Sequence, residues 1–371
     1  MFSALRNSAV WPMLWKEFIQ LRRDRFTLGM VVGVPAIQIA LFGFAIRTEV
    51  RHLPMLVLDE SQTAQSRSLV QAMVNTRNFD LAGEVTSREQ VRRAIERGEA
   101  QAALIIPATL ATDLKRHRVA HAQMIVDAAD PMASSAAIGG ASLAGSIVAR
   151  SMGSGGVVPL EVRVRPWYNP ALESSVYIVP GVTGVLLTMT MILINGLAIV
   201  RERERGTLEQ LVVTPISRTG LMLGKILPFA LVGYVQMTVV LVIAHLGFHV
   251  PIRGSVALLY LLALPFIFAS LGIGLLISTL VRTQTQAMQL GFLVLLPTIL
   301  LSGFMFPRQA MPIAAQWIGG VFPVTYFLRI LRGILLKGAG IDALWRDALS
   351  LCAFAVVMVA LATVRFRKSV E

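Results

Sequence analysis

The residues whose types could do chemistry are five histidines and one glycine–lysine run. His117 and His121, and likewise His245 and His249, stand four apart, the spacing that puts two imidazoles on one helical face. Neither pair is joined by a third ligand at a metal-binding interval, and coincidence near helix ends explains such pairs more readily. His52 stands apart. Gly220-Leu221-Met222-Leu223-Gly224-Lys225 resembles a phosphate cradle but has the wrong spacing for a P-loop and opens an apolar stretch. No nucleophile elbow or paired catalytic carboxylates stand out. The expectation is a chain with no catalytic residue, no metal and no cofactor of its own.

The most distinctive polar stretch is Arg201-Glu202-Arg203-Glu204-Arg205-Gly206-Thr207-Leu208-Glu209-Gln210-Leu211, continued to Thr214-Pro215 and Arg218. It is a charged island between the apolar runs 176–200 and 226–248, so it belongs in water at the ends of two membrane spans. Thr207 with Gln210 forms a capping box, Gly206 frees the entry to it, and Pro215 ends what begins there. The spacing predicts a short helix over 208–213, with Leu208, Leu211 and Val212 beside Glu209, able to dock on a partner. An ordinary solvated loop is the competing reading.

Stepping outward, the composition requires a membrane. The chain has 371 residues, 55% hydrophobic and 15% charged, with a mean hydropathy of +0.67. Several apolar runs reach the roughly 20 residues that cross a bilayer as a helix. The net charge is +13. Residues 47–175 hold 14 basic and 13 acidic side chains and are nearly neutral. The excess therefore flanks the apolar runs, which suits anionic lipid headgroups rather than nucleic acid. The one cysteine, Cys352, excludes an intrachain disulfide. The polar stretch before the first apolar run is too long for a cleavable signal peptide.

Residues 11–26 read as an amphipathic interfacial helix, with Trp15 and Phe18 toward the membrane and Lys16 and Glu17 largely elsewhere. The first span is 27–46. Residues 47–175 then alternate strand and helix patterns. Strands are expected at 53–59, 79–85, 101–106, 122–126 and 160–164. Helices are expected at 61–76, from the capping box at Ser87 to about Arg97, from Pro107 to about His117, and from Pro131 to Met152, with 153–156 a flexible joint. This is one α/β domain. Further spans follow at 176–200, 226–248, 256–281, 288–306 with a kink at Pro297, and 348–364. Residues 307–346, punctuated by Pro307, Pro312 and Pro323, predict re-entrant or interfacial helices, tolerated at membrane depth only when buried against protein. The fold class is thus a polytopic α-helical membrane protein: six transmembrane helices with an extracytoplasmic α/β domain between the first and second.

Charge sets the orientation. With both termini inside, the inner segments carry 14 Lys/Arg: five before Thr27, five in 201–225, Arg282 and three at the end. The short outer segments carry six: Arg253, Arg308, Arg329, Arg332, Lys337 and Arg346. The α/β domain is long enough to be exempt from that count. No acidic residue falls within a span, which argues against an intramembrane proton relay. Thr188, Asn195, Gln289 and Ser302 are the candidate pathway residues. Thr and Ser there more often bond their own helix, so Asn195 and Gln289 are the stronger pair.

Taken together, the island, Gly224-Lys225, Arg165-Pro166-Trp167-Tyr168-Asn169-Pro170 before the second span, Leu301-Ser302-Gly303, Met311-Pro312 and Pro323-Val324-Thr325-Tyr326 resemble the permease subunit of an ABC-2 type exporter. The likeness covers nearly the whole chain and is nearest to bacterial multidrug-exporter permeases with a large periplasmic domain. The resemblance implies a dimer of permeases, homomeric or heteromeric, in the bacterial inner membrane. It implies separate cytoplasmic ATPase subunits that bind ATP and Mg, with 208–213 as the coupling helix and 11–26 as the elbow helix. In that picture Leu208 and Leu211 fill a groove on the ATPase while Arg203, Arg205 and Glu209 set register, and Arg201, Glu202, Glu204, Gly206, Thr207, Gln210 and Pro215 complete the ATPase-coupling set. Membrane lipids, and a periplasmic adaptor, would be further partners. A lipid or glycan exporter, or a non-transporting sensor or scaffold with a periplasmic binding domain, are the alternatives.

Overall fold

In the computed structural model the described residues are 52–116, 118–152, 160–206, 218–308 and 311–365. The expected interfacial helix, first span, joint at 153–156, helix at 208–213 and, of the basic tail, Arg367 and Lys368 lie outside them.

Five strands, β1 (Leu53–Asp59), β2 (Phe79–Glu84), β3 (Ala102–Ile106), β4 (Ala120–Asp127) and β5 (Leu160–Trp167), form one sheet in the order β2-β1-β3-β4-β5. β1, β2 and β3 are parallel, β3 and β4 antiparallel, and β4 and β5 parallel. Helices α1 (Ala64–Asn75), α2 (Arg88–Glu96), α3 (Leu110–Lys115) and α4 (Pro131–Met152) connect them. The crossover through α1 steps from β1 to β2, and that through α2 steps back past β1 to β3. Right-handed connections in opposite directions put the two helices on opposite faces. Accordingly Leu53, Met55 and Val57 pack with Leu69 and Met73 of α1, whereas Leu56 and Leu58 pack with Val91 and Ile95 of α2.

Helix α4 lies with α1 and presents Ala133, Ala137, Ala141, Ala144 and Val148 to the sheet. This stripe follows the helical repeat and brings the backbone close. A Cβ on Gly145 would already stand 3.1 Å from Val162. Asp130 begins the helix, its carboxylate accepting from the N–H groups of Met132 and Ala133 at 3.0 and 3.2 Å. The boundaries of β1 and α4 fall where the sequence pattern puts them, while β4 and β5 run longer. At α2, Ser87 accepts from Gln90 N–H, but the Gln90 carbonyl reaches the N–H of Thr86 rather than that of Ser87. The expected reciprocal box is therefore offset by one residue.

Because β5 runs opposite to β1, the chain enters and leaves the sheet at the same end. The helical part begins there. The Asn169 side chain donates to Glu173 O at 2.9 Å and accepts from Glu173 N–H at 3.0 Å, and Tyr168 and Leu172 adopt left-handed backbone. This corner turns the chain into α5 (Ser174–Glu204), followed by α6 (Arg218–Phe248), α7 (Val256–Leu280), α8 (Gln284–Leu301) and α11 (Ile341–Arg365). These are the described helices long and apolar enough to cross a bilayer. Between the last two lie α9 (Ile313–Gly319) and α10 (Pro323–Arg332) with a π-helical turn (Gly333–Lys337), bent by 90°.

Pro323 disfavours α-helical backbone at Phe322, which is extended at the break and leads into Pro323 in the first turn of α10. Thr325 and Tyr326 hold the bend by donating to the carbonyls of Gly319 and Gly320, at 2.5 and 2.8 Å. A single apolar core joins α5, α6, α7, α10 and α11, with Phe266 stacked on Phe327 at 4.0 Å. Helix α5 packs directly on α7. A Cβ on Gly274 would stand 2.6 Å from the Ile192 carbonyl oxygen, so only glycine permits this approach.

Candidate functional site

The charged island starts inside a helix. Hydropathy stops at Val200, yet α5 continues through Glu204 and is about 46 Å long at 1.5 Å per residue. That exceeds the roughly 30 Å hydrocarbon core, so the helix is long enough to span with its charged last turn to spare. Gly206 closes it in left-handed conformation, its N–H donating to Arg203 O at 3.1 Å. The sequence reading gave Gly206 to the element that follows; the structure gives it to the helix before.

The last turn of α5 is bound to the turn between α7 and α8. The Arg203 guanidinium donates through Nη1 to the carbonyls of Ser278 (2.9 Å) and Val281 (2.7 Å) at the end of α7. Glu204 accepts from the backbone N–H of Gln284 (2.8 Å) and from its side-chain amide (2.5 Å). Arg201 Nε donates to Gln284 Oε1 at 3.3 Å. Helix α8 starts earlier than the hydropathy suggested because Thr283 caps it, accepting from Gln286 N–H at 3.2 Å. Sequence reading passed over Gln284 as part of a polar link. The Thr283–Gln286 capping pattern was the available signal. Glu202 is half-buried. Thr207, Leu208, Glu209, Gln210, Leu211 and Pro215, together with Trp15, Lys16, Glu17 and Phe18, lie outside the described residues.

Three of the four candidate pathway residues bond apart from one another, each to a different backbone carbonyl. Thr188 donates to Gly184 O at 2.7 Å and Ser302 to Ile299 O at 3.4 Å, both within or at the end of their own helix. Asn195 is fully buried and donates to Leu271 O of α7 at 2.7 Å, with its Oδ1 unpartnered. The Gln289 carbonyl oxygen is also buried without a partner. Asn195 thereby ties α5 to α7 beside the Gly274 contact. A further interhelical bond joins Gln236 of α6 to Thr190 of α5 at 2.9 Å.

At the other end of the helices a second polar cluster holds the α/β domain. Lys337 donates to Asp127 Oδ2 at 2.5 Å and to Ile95 O at 3.1 Å, and lies 5.7 Å from the Tyr168 ring centre. Arg332 donates to Gly303 O at 3.0 Å and covers the Tyr177 ring at 3.8 Å, while Tyr177 donates to the same carbonyl at 3.2 Å. Burial raises the Asp130 carboxyl pKa, and the nearby Arg332 opposes the shift. Burial also pushes the Tyr168 phenol up, with Asp127 adding to it. Sequence reading had counted Lys337 and Arg332 only as outer charges.

The histidine pairs are not helical pairs. His121 lies in β4 and His249 follows the end of α6 with left-handed backbone, while His245 faces Val250 O at 3.0 Å. His117 is outside the described residues.

An α/β domain followed by apolar helices long enough to cross a bilayer, a charged helix end braced against two of them and a bent apolar pair define a multi-pass membrane protein. The family model described as "ABC-2 family transporter protein" matches residues 25–364, and the chain belongs to that family. It is 30% identical to the "Probable multidrug ABC transporter permease YbhR" of Escherichia coli (strain K12), over 97% of this chain and 99% of that one. It is 28% identical to YbhS of the same organism, described in the same words, over 96% of each chain. It is 31% identical to the "Inner membrane transport permease YhhJ" of the same organism, over 99% of this chain and 98% of the other.

Proposed function

We propose that this chain is the membrane permease of an ATP-driven exporter in the bacterial inner membrane. It pairs with a second permease and is driven by separate cytoplasmic ATPase subunits that bind ATP and Mg. The observation that carries this reading is the extension of α5 beyond its apolar length into a charged turn fastened to α7 and α8. A helix end built this way can receive force from outside the membrane and pass it inward. The loop after Gly206, with the short helix expected at 208–213, is the seat for the ATPase, and the elbow helix at 11–26 meets the same partner. Both termini lie in the cytoplasm and the α/β domain outside, where it also offers a surface to a periplasmic adaptor.

Full-length similarity to permeases described as multidrug transporters supports drugs or other amphiphilic small molecules as the load. The pathway lies between protomers, with Asn195 and Gln289 as its polar residues. Leu211→Asp should place a charge in the apolar contact with the ATPase. ATPase binding should weaken by roughly 30-fold or more, the loss expected when a central interface contact of about 2 kcal/mol or more is removed, and ATP-driven transport by the reconstituted complex should fall with it while the chain still inserts. Undiminished ATP-driven transport by this variant and by Glu209→Ala would remove 208–213 from the coupling role.

A further inference from the structure

Arg203, half-buried, and Glu204, exposed, both bond the chain's own helix ends. The last carbonyls of α7 lack intrahelical donors, and the first N–H groups of α8 lack acceptors. Arg203 supplies two hydrogen bonds and a positive charge to the α7 terminus, through Ser278 O and Val281 O. Glu204 supplies a carboxylate to the first N–H of α8 and to the Gln284 side chain. Each charge opposes the partial charge of the helix end it meets, negative at the C-terminus and positive at the N-terminus. Arg201 adds a third link to Gln284. Two adjacent residues on one helix thus satisfy the exposed ends of two others.

We propose that Arg203 and Glu204 are positioning residues that yoke the ends of α5, α7 and α8 into one rigid body. A displacement of the loop after Gly206 then reaches three spans together. This rests on the proposed ATP-driven permease and deepens it: part of the charged island transmits force within the chain rather than touching the ATPase. Arg203 and Glu204 are fixed on helical backbone before Gly206, whose left-handed backbone closes α5.

The test is covalent replacement of the yoke. Glu204→Cys with Gln284→Cys, in a Cys352→Ser background, is assembled with its ATPase and partner permease in proteoliposomes. Under reducing conditions ATP hydrolysis should continue while transport falls by about tenfold, a typical coupling loss. Oxidation should cross-link the two positions and restore transport to within about twofold of the Cys352→Ser parent, a residual well below a typical coupling factor. Full transport in the reduced state, failure of the pair to cross-link, or a cross-linked protein that does not recover would each overturn the yoke. A merely structural role would not give oxidative recovery. If the Cys352→Ser parent itself shows no ATP-driven transport, the permease reading fails instead, so the two failures are distinguishable.

Discussion

Lys337→Met should destabilise the full-length protein by about 3–5 kcal/mol, because it leaves the Asp127 carboxylate buried without its counter-ion. Each side chain of the pair is 11% exposed. Asp127 would keep only its bond from Ala129 N–H, through the other carboxylate oxygen. The pair also joins two parts of the fold, so the loss should appear first where they meet. Amide exchange around Ile95 and Asp127 should accelerate before exchange in α7 does. Adding Asp127→Asn should restore most of the stability, since neither partner is then a buried lone charge. A thermal midpoint in detergent that is unchanged by Lys337→Met, or not recovered in the double variant, would show that the domain is held by other contacts.

Gly274→Leu should be comparably severe. The new side chain begins 2.6 Å from the Ile192 carbonyl oxygen and 3.1 Å from its Cα, so α5 and α7 must separate. Separation also breaks the bond from Asn195 to Leu271 O and exposes a buried amide. Overpacking alone costs about 1–3 kcal/mol, and the broken buried bond adds about 1–3 more. Gly233→Ala is the control. Its Cβ would meet the Met191 sulfur at 3.1 Å and the Ile267 side chain, which are ends that can move. That variant should be near neutral, because alanine regains helix propensity. The yield of folded protein in membranes and its thermal midpoint both read this difference.

Much of the fold was legible because local pattern decides it. β1 is a short apolar run bounded by polar residues and was placed to the residue, and α4 begins at Pro131, about where its small-residue pattern starts. The spans followed from hydropathy, but their ends did not. Hydropathy sees the side chains of Arg201 to Glu204 as loop, whereas the backbone ladder of α5 continues until Gly206 ends it. Likewise α8 starts where Thr283 caps it, several residues before its apolar part.

The site was less legible because its bonds are distant in sequence. Arg203 and Ser278 are 75 residues apart, Glu204 and Gln284 are 80 apart, and Asp127 and Lys337 are 210 apart. No periodicity links such positions. The sequence marked Arg203 and Glu204 as functional, yet their types suit an external partner as well as the ends of neighbouring helices. Only the packing of α5 on α7 and α8 distinguishes the two.

The central claim is that this chain transports only as part of a complex whose energy comes from another subunit. Purification of the intact assembly from native membranes, with mass spectrometry of every protein recovered, tests it most directly. The account predicts a stoichiometric P-loop ATPase together with a second permease chain. Recovery of the chain without any nucleotide-binding partner, under conditions that preserve other membrane complexes, would contradict it.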